Sequence, residues 1–302
     1  MPQSFRTPYS GYVAVMKKSG TASVLATGSQ INIPTVHTVP LNPDNNSFPG
    51  VIATSSYPSE RVKGMKTPTV SITACYKPSW CTANLFNSLI NIGTNNATDV
   101  FSIAFKDDNS GSLRIWDDAK CERLQFQQNA MGGPLMVTMD FKARFGDSEA
   151  PYGATDAATG SAYGSAPAFA TPGSVDSGEL YGMADTVLTG LTTVRAYTLT
   201  LMRGQAFLPY FNGTRYASQI ATTMFSGGMS VDQDPGGTLI SNTGTAVIAI
   251  GPAATAGSIV LTAAVVRDDN TYPFDISIGN LSSRYSLVSL STGGNPASIV
   301  AG

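Results

Sequence analysis

Histidine is almost absent from this sequence. His37 is the only one in 302 residues. It sits in the strand-like run 33–39 beside Pro34, with no acidic neighbour, so we read it as structural rather than as the base of a catalytic triad. Charge is also scarce: 13% of residues are Asp, Glu, Lys or Arg, about half the usual quarter. Ser, Thr, Asn, Gln, Gly and Ala must cover the surface instead. That composition suits a neutral soluble protein. It equally suits a chain packed against copies of itself, where charged groups would be costly to desolvate. The net charge of −2 argues against a general nucleic-acid binder, which would carry a basic stripe. It does not exclude a protein that lets DNA pass without holding it.

Cysteine is sparse and odd in number. Cys75, Cys81 and Cys121 form no C-x-x-C, and the x5 spacing of the first two is not that of a zinc knuckle. Buried free thiols in a reducing cell are expected over a metal site. There are two tryptophans, Trp80 and Trp116, a thin basis for the exposed aromatic platform of a secreted carbohydrate-binding β-sandwich. Long apolar runs are missing. The stretch 259–266 is strand-length and broken by Thr262, far short of the roughly 20 residues of a membrane helix. The opening residues 1–6 lack the apolar region of a signal peptide. The expectation is a protein made and kept in the cytoplasm, with no membrane insertion.

Strand signals dominate what is present. Apolar residues recur two apart in 69–74, 100–105, 113–116, 194–201, 229–231 and 276–278, each bounded by Gly, Pro, Asn or Asp. The best helix signal is 82–90, with Leu85, Phe86, Leu89 and Ile90 on one face, Thr82 as cap and Gly93 beyond the end. One short helix among many strands predicts a mainly β chain, a sandwich or barrel with a helix plugging one side.

The middle of the chain is different. From Asp147 to Val194 there is no Lys or Arg; Gly, Ala, Ser, Thr and Pro dominate, and Tyr152, Tyr163, Phe169 and Tyr181 punctuate the run. This is linker composition with aromatic anchors. A flexible linker and an extended arm docked on a neighbouring subunit both fit it. On either side the patterns match in order: 70–72 with 229–231, 101–105 with 246–250, and 111–115 with 257–261. Chance matching among Ser- and Ile-rich strands is one account. The other, which we prefer, is two tandem related β-domains: 1–146, a linker 147–190, and 191–302.

Chemistry is hard to find. The carboxylate pairs are Asp107-Asp108, Asp117-Asp118 and Asp268-Asp269. The sequences around 106–109 and 267–270 read as β-turns, in which Asp and Asn bond their own backbone. Met131-Gly132-Gly133-Pro134 lacks the P-loop pattern, and no helix follows to aim its N-terminus at phosphate. Nothing points to an enzyme, a cofactor or a metal. We read 121–141 as a hairpin instead. Leu124, Phe126, Leu135, Val137, Met139 and Phe141 should face a core; Gln125, Gln127, Thr138 and Asp140 should form a polar face, with Met136 an exception on it.

The polar strand, Gly-Gly turn and second strand ending in Asp140-Phe141 resemble an element of tail tube proteins from long-tailed bacteriophages. The order agrees: 62–64, then strand 69–74, helix 83–90, strands 100–105 and 113–116, and the hairpin 121–141 are similar to a first tube domain. After the linker, 194–201, 202–205, 211–216 and 227–232 look like the start of a second. The likeness spans most of 60–145 and 190–235 and is one of pattern and order.

The resemblance implies a β-sandwich whose inner strands join across subunits into a continuous barrel. It implies stacked rings enclosing a lumen for the tape measure protein and later for DNA entering the host, in a virion tail assembled in host cytoplasm. Two tandem domains imply a homotrimeric pseudo-hexameric ring, with a homohexameric ring the alternative. Implied partners are further copies, the tape measure protein, and tail terminator and distal tail or baseplate proteins. Candidate lumen-facing residues are Gln125, Gln127, Thr138, Asp140, Glu122, Asp107, Asp108, Asp268 and Asp269; ordinary outward turn positions are the other reading for the acids. Tyr152, Tyr163, Phe169 and Tyr181 are the candidate inter-subunit arm. Another β-rich virion component, a capsid decoration or tail-fibre protein, shares the low-charge character.

Overall fold

The computed structural model describes residues 11–18, 25–33, 36–38, 47–50, 60–63, 65–76, 89, 100–107, 113–129, 132–145, 188, 191–208, 217, 219–234, 248–250, 259–261, 264–267, 274–275, 280–288 and 298–299. Among these residues the protein is mostly antiparallel β-sheet with almost no helix. The first group of strands is β1 Gly11–Lys18, β2 Leu25–Ile33, β3 Val36–Thr38, β4 Ser47–Gly50, β5 Glu60–Lys63 and β6 Thr69–Cys75. Then come β7 Val100–Asp107, β8 Leu113–Asn129, β9 Met136–Phe145, β10 Val194–Leu208 and β11 Gln219–Gln233. Short strands close the chain: β12 Ile248–Ile250, β13 Ile259–Leu261, β14 Ala264–Arg267, β15 Phe274–Asp275, β16 Asn280–Val288 and β17 Ser298–Ile299. Of the expected helix 82–90, Leu89 is helical and buried; its other residues, and the expected strand 276–278, lie outside the described residues.

Twelve strands share one sheet. Its centre is the long strand β8. One edge of β8 pairs with β9, which pairs in turn with β6. The other edge is divided. Residues 113–119 pair with β7, which leads to β1 and β2; residues 123–129 pair with β10, which leads to β11 and β16. The sequence patterns at 113–116 and 121–129 are thus parts of one strand, not two. Two bulges explain why the alternation looked interrupted. Asp117 and Asp118 together oppose the single residue Ser102 of β7, and Glu122 is an extra residue against β9. A bulge bends a strand and shifts its parity. Core-facing positions accordingly run through Ala119 and Cys121 before Glu122, and through Leu124, Phe126 and Gln128 after it. Asp118 takes a left-handed backbone at φ 49, which Asp adopts more readily than most residues.

A single apolar cluster draws on both halves of the chain. It includes Val13, Val15, Phe101 and Ile103, the hairpin residues Leu124, Phe126, Leu135, Val137, Met139 and Phe141, and Tyr197, Leu199, Leu201, Met229 and Val231. The six hairpin positions expected in the core are all buried. Two aromatic contacts have the edge-on geometry that ring quadrupoles favour: Tyr76 with Phe126 at 5.8 Å and Phe101 with Phe141 at 6.0 Å between centroids. Two polar contacts enter this core. Ser102 Oγ donates to Asp117 across the bulge, and Tyr197 Oη donates to Gln128 Oε1 at 3.1 Å across the β8–β10 pair.

Candidate functional site

The opposite face of the same strands is polar, and it follows from the alternation. β9 alternates strictly between half-buried and buried positions along its ten residues. Met136, Thr138, Asp140, Lys142 and Arg144 therefore share the outer side. The turn that returns the chain from β8 carries Gly132 at φ +116, with open space around both Gly132 and Gly133. That backbone region favours glycine, so Gly132 serves the turn.

Register brings four of the predicted residues together. Gln125 pairs with Thr138, Gln127 with Met136, and Arg123 with Asp140. The rows continue beyond the hairpin. Thr73, Thr138, Gln125, Thr200 and Gly228 are successive pairing partners on β6, β9, β8, β10 and β11; so are Cys75, Met136, Gln127, Thr198 and Ser230. Five strands at the usual spacing make a face about 19 Å across. Thr73 and Thr138 hydroxyls lie 3.0 Å apart, and Cys75 Sγ lies 3.8 Å from Met136 Sδ. Gln127 and Ser230 are exposed, and Gln125, Thr138, Thr198 and Thr200 are half-buried.

Charges concentrate toward one end of this face. The Thr, Gln and Ser rows are uncharged, and Asp232 of β11 lies just beyond them, level with Ala196 and Asn129. The charged end holds Asp118, Lys120, Glu122, Lys142 and Arg144, with Arg123 and Asp140 at the boundary. Six of the seven charges at this end and its boundary are neutralised in pairs. Asp140 accepts from Arg123 Nε at 2.5 Å and from Ser71 Oγ at 2.5 Å; Lys142 pairs with Glu122 at 2.6 Å; Arg144 pairs with Asp118 at 3.2 Å. Lys120 and Lys142 stand directly opposite each other, an unfavourable placement. They diverge, Lys142 to Glu122 and Lys120 Nζ to the Thr222 hydroxyl at 3.2 Å. The two predicted acids on this face, Glu122 and Asp140, are thus ion-paired rather than free carboxylates.

Asp107 ends β7, and its side chain lies outside the described residues. Asp108, Asp268, Asp269, Tyr152, Tyr163, Phe169 and Tyr181 also lie outside them, as does all of 147–190 except Leu188. His37 falls on β3, and only its backbone is described. Sequence reasoning missed Thr198, Thr200 and Ser230. The alternation of 194–201 gave their side of the strand. Nothing local, however, predicts that β10 pairs with β8 across more than sixty intervening residues.

Cys75 and Cys121 are free thiols, and among the described residues no three His, Cys, Asp or Glu side chains are grouped to hold a metal. Burial, reinforced by the Asp140 carboxylate, pushes the Cys121 thiol far above the ordinary thiol range. Only the thiolate is nucleophilic. Cys121 should therefore resist alkylation in the native protein at pH 8 and react at the rate of a free thiol once the chain is unfolded. Rapid native-state labelling of Cys121, read by peptide mass mapping, would contradict this environment.

No protein-family model matches the chain, and no curated protein matches it.

Proposed function

We propose that this chain is a structural virion protein, the tail tube subunit of a long-tailed bacteriophage, with the polar face of β6, β9, β8, β10 and β11 lining the lumen. One observation carries the reading: a broad face of hydroxyls and carboxamides, with most of its charges ion-paired, lies directly behind a dry core. Such a face is well hydrated, and its ion pairs leave little net field to hold phosphate or a polypeptide. A polymer can slide along it without being captured. In this reading ion pairing, rather than repulsion of phosphate by free carboxylates, keeps the wall from binding DNA.

Two features support tandem tube units. Both copies of the repeated pattern form antiparallel pairs, β7 with β8 and β12 with β13, one residue apart in register: Ile103 opposes Trp116, whereas its counterpart Ile248 opposes Leu261, the counterpart of Ile115. In addition, β10 adds to β8, so one inner wall would run across both units. In a ring, that joint would be made once within each chain and again between chains, closing a barrel without exposed edges. Three copies would then form a pseudo-hexameric ring. Heterologous stacking would extend it until a terminator or distal tail protein caps it. The tape measure protein and DNA are the lumen's successive occupants.

The segment 147–190 is long for a connection between domains, and in this reading it crosses to the next ring or subunit with Tyr152, Tyr163, Phe169 and Tyr181 as anchors. Deleting 150–185 should abolish tube formation, seen by negative-stain microscopy, while circular dichroism and gel filtration show a folded monomer. Normal tubes from the deletion variant would sink the role of the arm. Isolated globular trimers without a central hole from the intact chain would favour a capsid decoration or tail-fibre protein.

A further inference from the structure

β10 stays in register with β8 only as far as Met202, which opposes Arg123. Immediately beyond, the β10–β11 ladder is interrupted. Arg203 pairs with Phe225 and Gln205 with Thr222, so Gly204 stands against the two residues Thr223 and Met224. Past this joint, 203–208 and 219–222 remain paired with each other but no longer belong to a ladder with β8.

They lie instead over the charged end of the outer face. Lys142 Nζ donates to the Gln205 carbonyl at 2.7 Å, and Arg144 Nε donates to the Ala217 carbonyl at 2.9 Å. Gln205 Nε2 donates to the Cys121 carbonyl at 3.3 Å, and the Thr222 hydroxyl bridges Lys120 to Gln205 Oε1. The covering shows in the exposures. Asp118 and Arg144 side chains are 16% exposed, Lys142 24% and Glu122 28%; at the joint Arg123 is 40% and its partner Asp140 22% exposed. Gln205, Ala217 and Ile220 are buried in the same contact.

We propose that the paired strand ends 203–208 and 219–222 form a strap that opens about Gly204, uncovering the ion-paired shelf of Asp118, Lys120, Glu122, Lys142 and Arg144 while the β8–β9 hairpin and core stay folded. The joint absorbs the backbone change at a residue without a Cβ. Opening breaks side-chain contacts and no ladder bond to β8, and the ammonium and guanidinium groups regain water as it proceeds. Proteins open locally in such cooperative units, drawn from regions held by few apolar contacts. Once detached, the two-stranded ribbon is only marginally stable, so its amides exchange in the open state. The inference does not depend on the proposed function.

Amide hydrogen exchange on the intact chain tests it. In the unmodified protein, 203–208 and 219–222 should exchange at least about tenfold faster than 124–129 and 135–141, with little dependence on low denaturant. The double substitution Lys142→Met with Arg144→Met should speed the strap by about tenfold more and leave the hairpin unchanged. Lys142→Arg, which keeps a cationic donor, should stay near the unmodified rate. Strap and hairpin exchanging at one rate in the unmodified protein would overturn the proposal even if the double variant fails to fold. Equal acceleration of both segments in a folded double variant would overturn it too.

Discussion

Truncating Phe126 to alanine is expected to cost about 3–5 kcal/mol of unfolding free energy. Phe126 is fully buried, meets Tyr76 edge-on at 5.8 Å, and lies opposite Val137 on β9 and Leu199 on β10. It is therefore packed at the strand junction where the first and second halves of the chain meet. Removing the ring loses its transfer energy and leaves a cavity that three laddered strands are poorly able to collapse. Urea unfolding followed by fluorescence would show the loss as a lower midpoint with an unchanged slope. A change below about 1 kcal/mol would mean that the junction is not closed around Phe126.

A larger effect is expected from Met139→Asp. Met139 is fully buried in the apolar cluster, opposite Leu124 and Ile72. An aspartate there has no cationic partner among the neighbouring core residues, and burying an unpaired carboxylate costs several kcal/mol even after its proton affinity adjusts. The variant should fail to accumulate as folded protein. Gln127→Glu makes the contrast. Gln127 is exposed on the outer face of the same hairpin, so the change should move stability by no more than about 0.5 kcal/mol. Comparable losses from the two substitutions would refute the division of β8 and β9 into a dry and a wet side.

That division was legible in the sequence because a strand's period of two leaves no freedom once one side is apolar. Leu124, Phe126, Leu135, Val137, Met139 and Phe141 could be assigned to the core from their spacing alone, and Gln125, Gln127, Thr138 and Asp140 to the other face. The glycine turn was legible for the same local reason, since no helix follows it. Three things were not legible. The pair Asp117-Asp118 resembles the turn acids elsewhere in the chain, yet it forms a bulge inside a continuous strand, with Asp117 buried against Ser102. That depends on a partner from β7, which local pattern cannot supply. The pairing of β8 with β10 is equally non-local. The ion pairing of the outer face was missed because pairs such as Arg123 with Asp140 and Lys142 with Glu122 join residues about twenty apart through register. Read along the chain, Glu122 and Asp140 look like free acids; read across the sheet, each has its cation.

The most direct test of the proposed function is a cryo-electron microscopy reconstruction of the particle formed by the intact chain. The expected result is stacked rings with sixfold or pseudo-sixfold walls around a central hole, and Gln125, Gln127, Thr138 and Asp140 facing that hole. Discrete particles without a lumen, or a tube in which this face is pressed against a neighbour or turned outward, would contradict it.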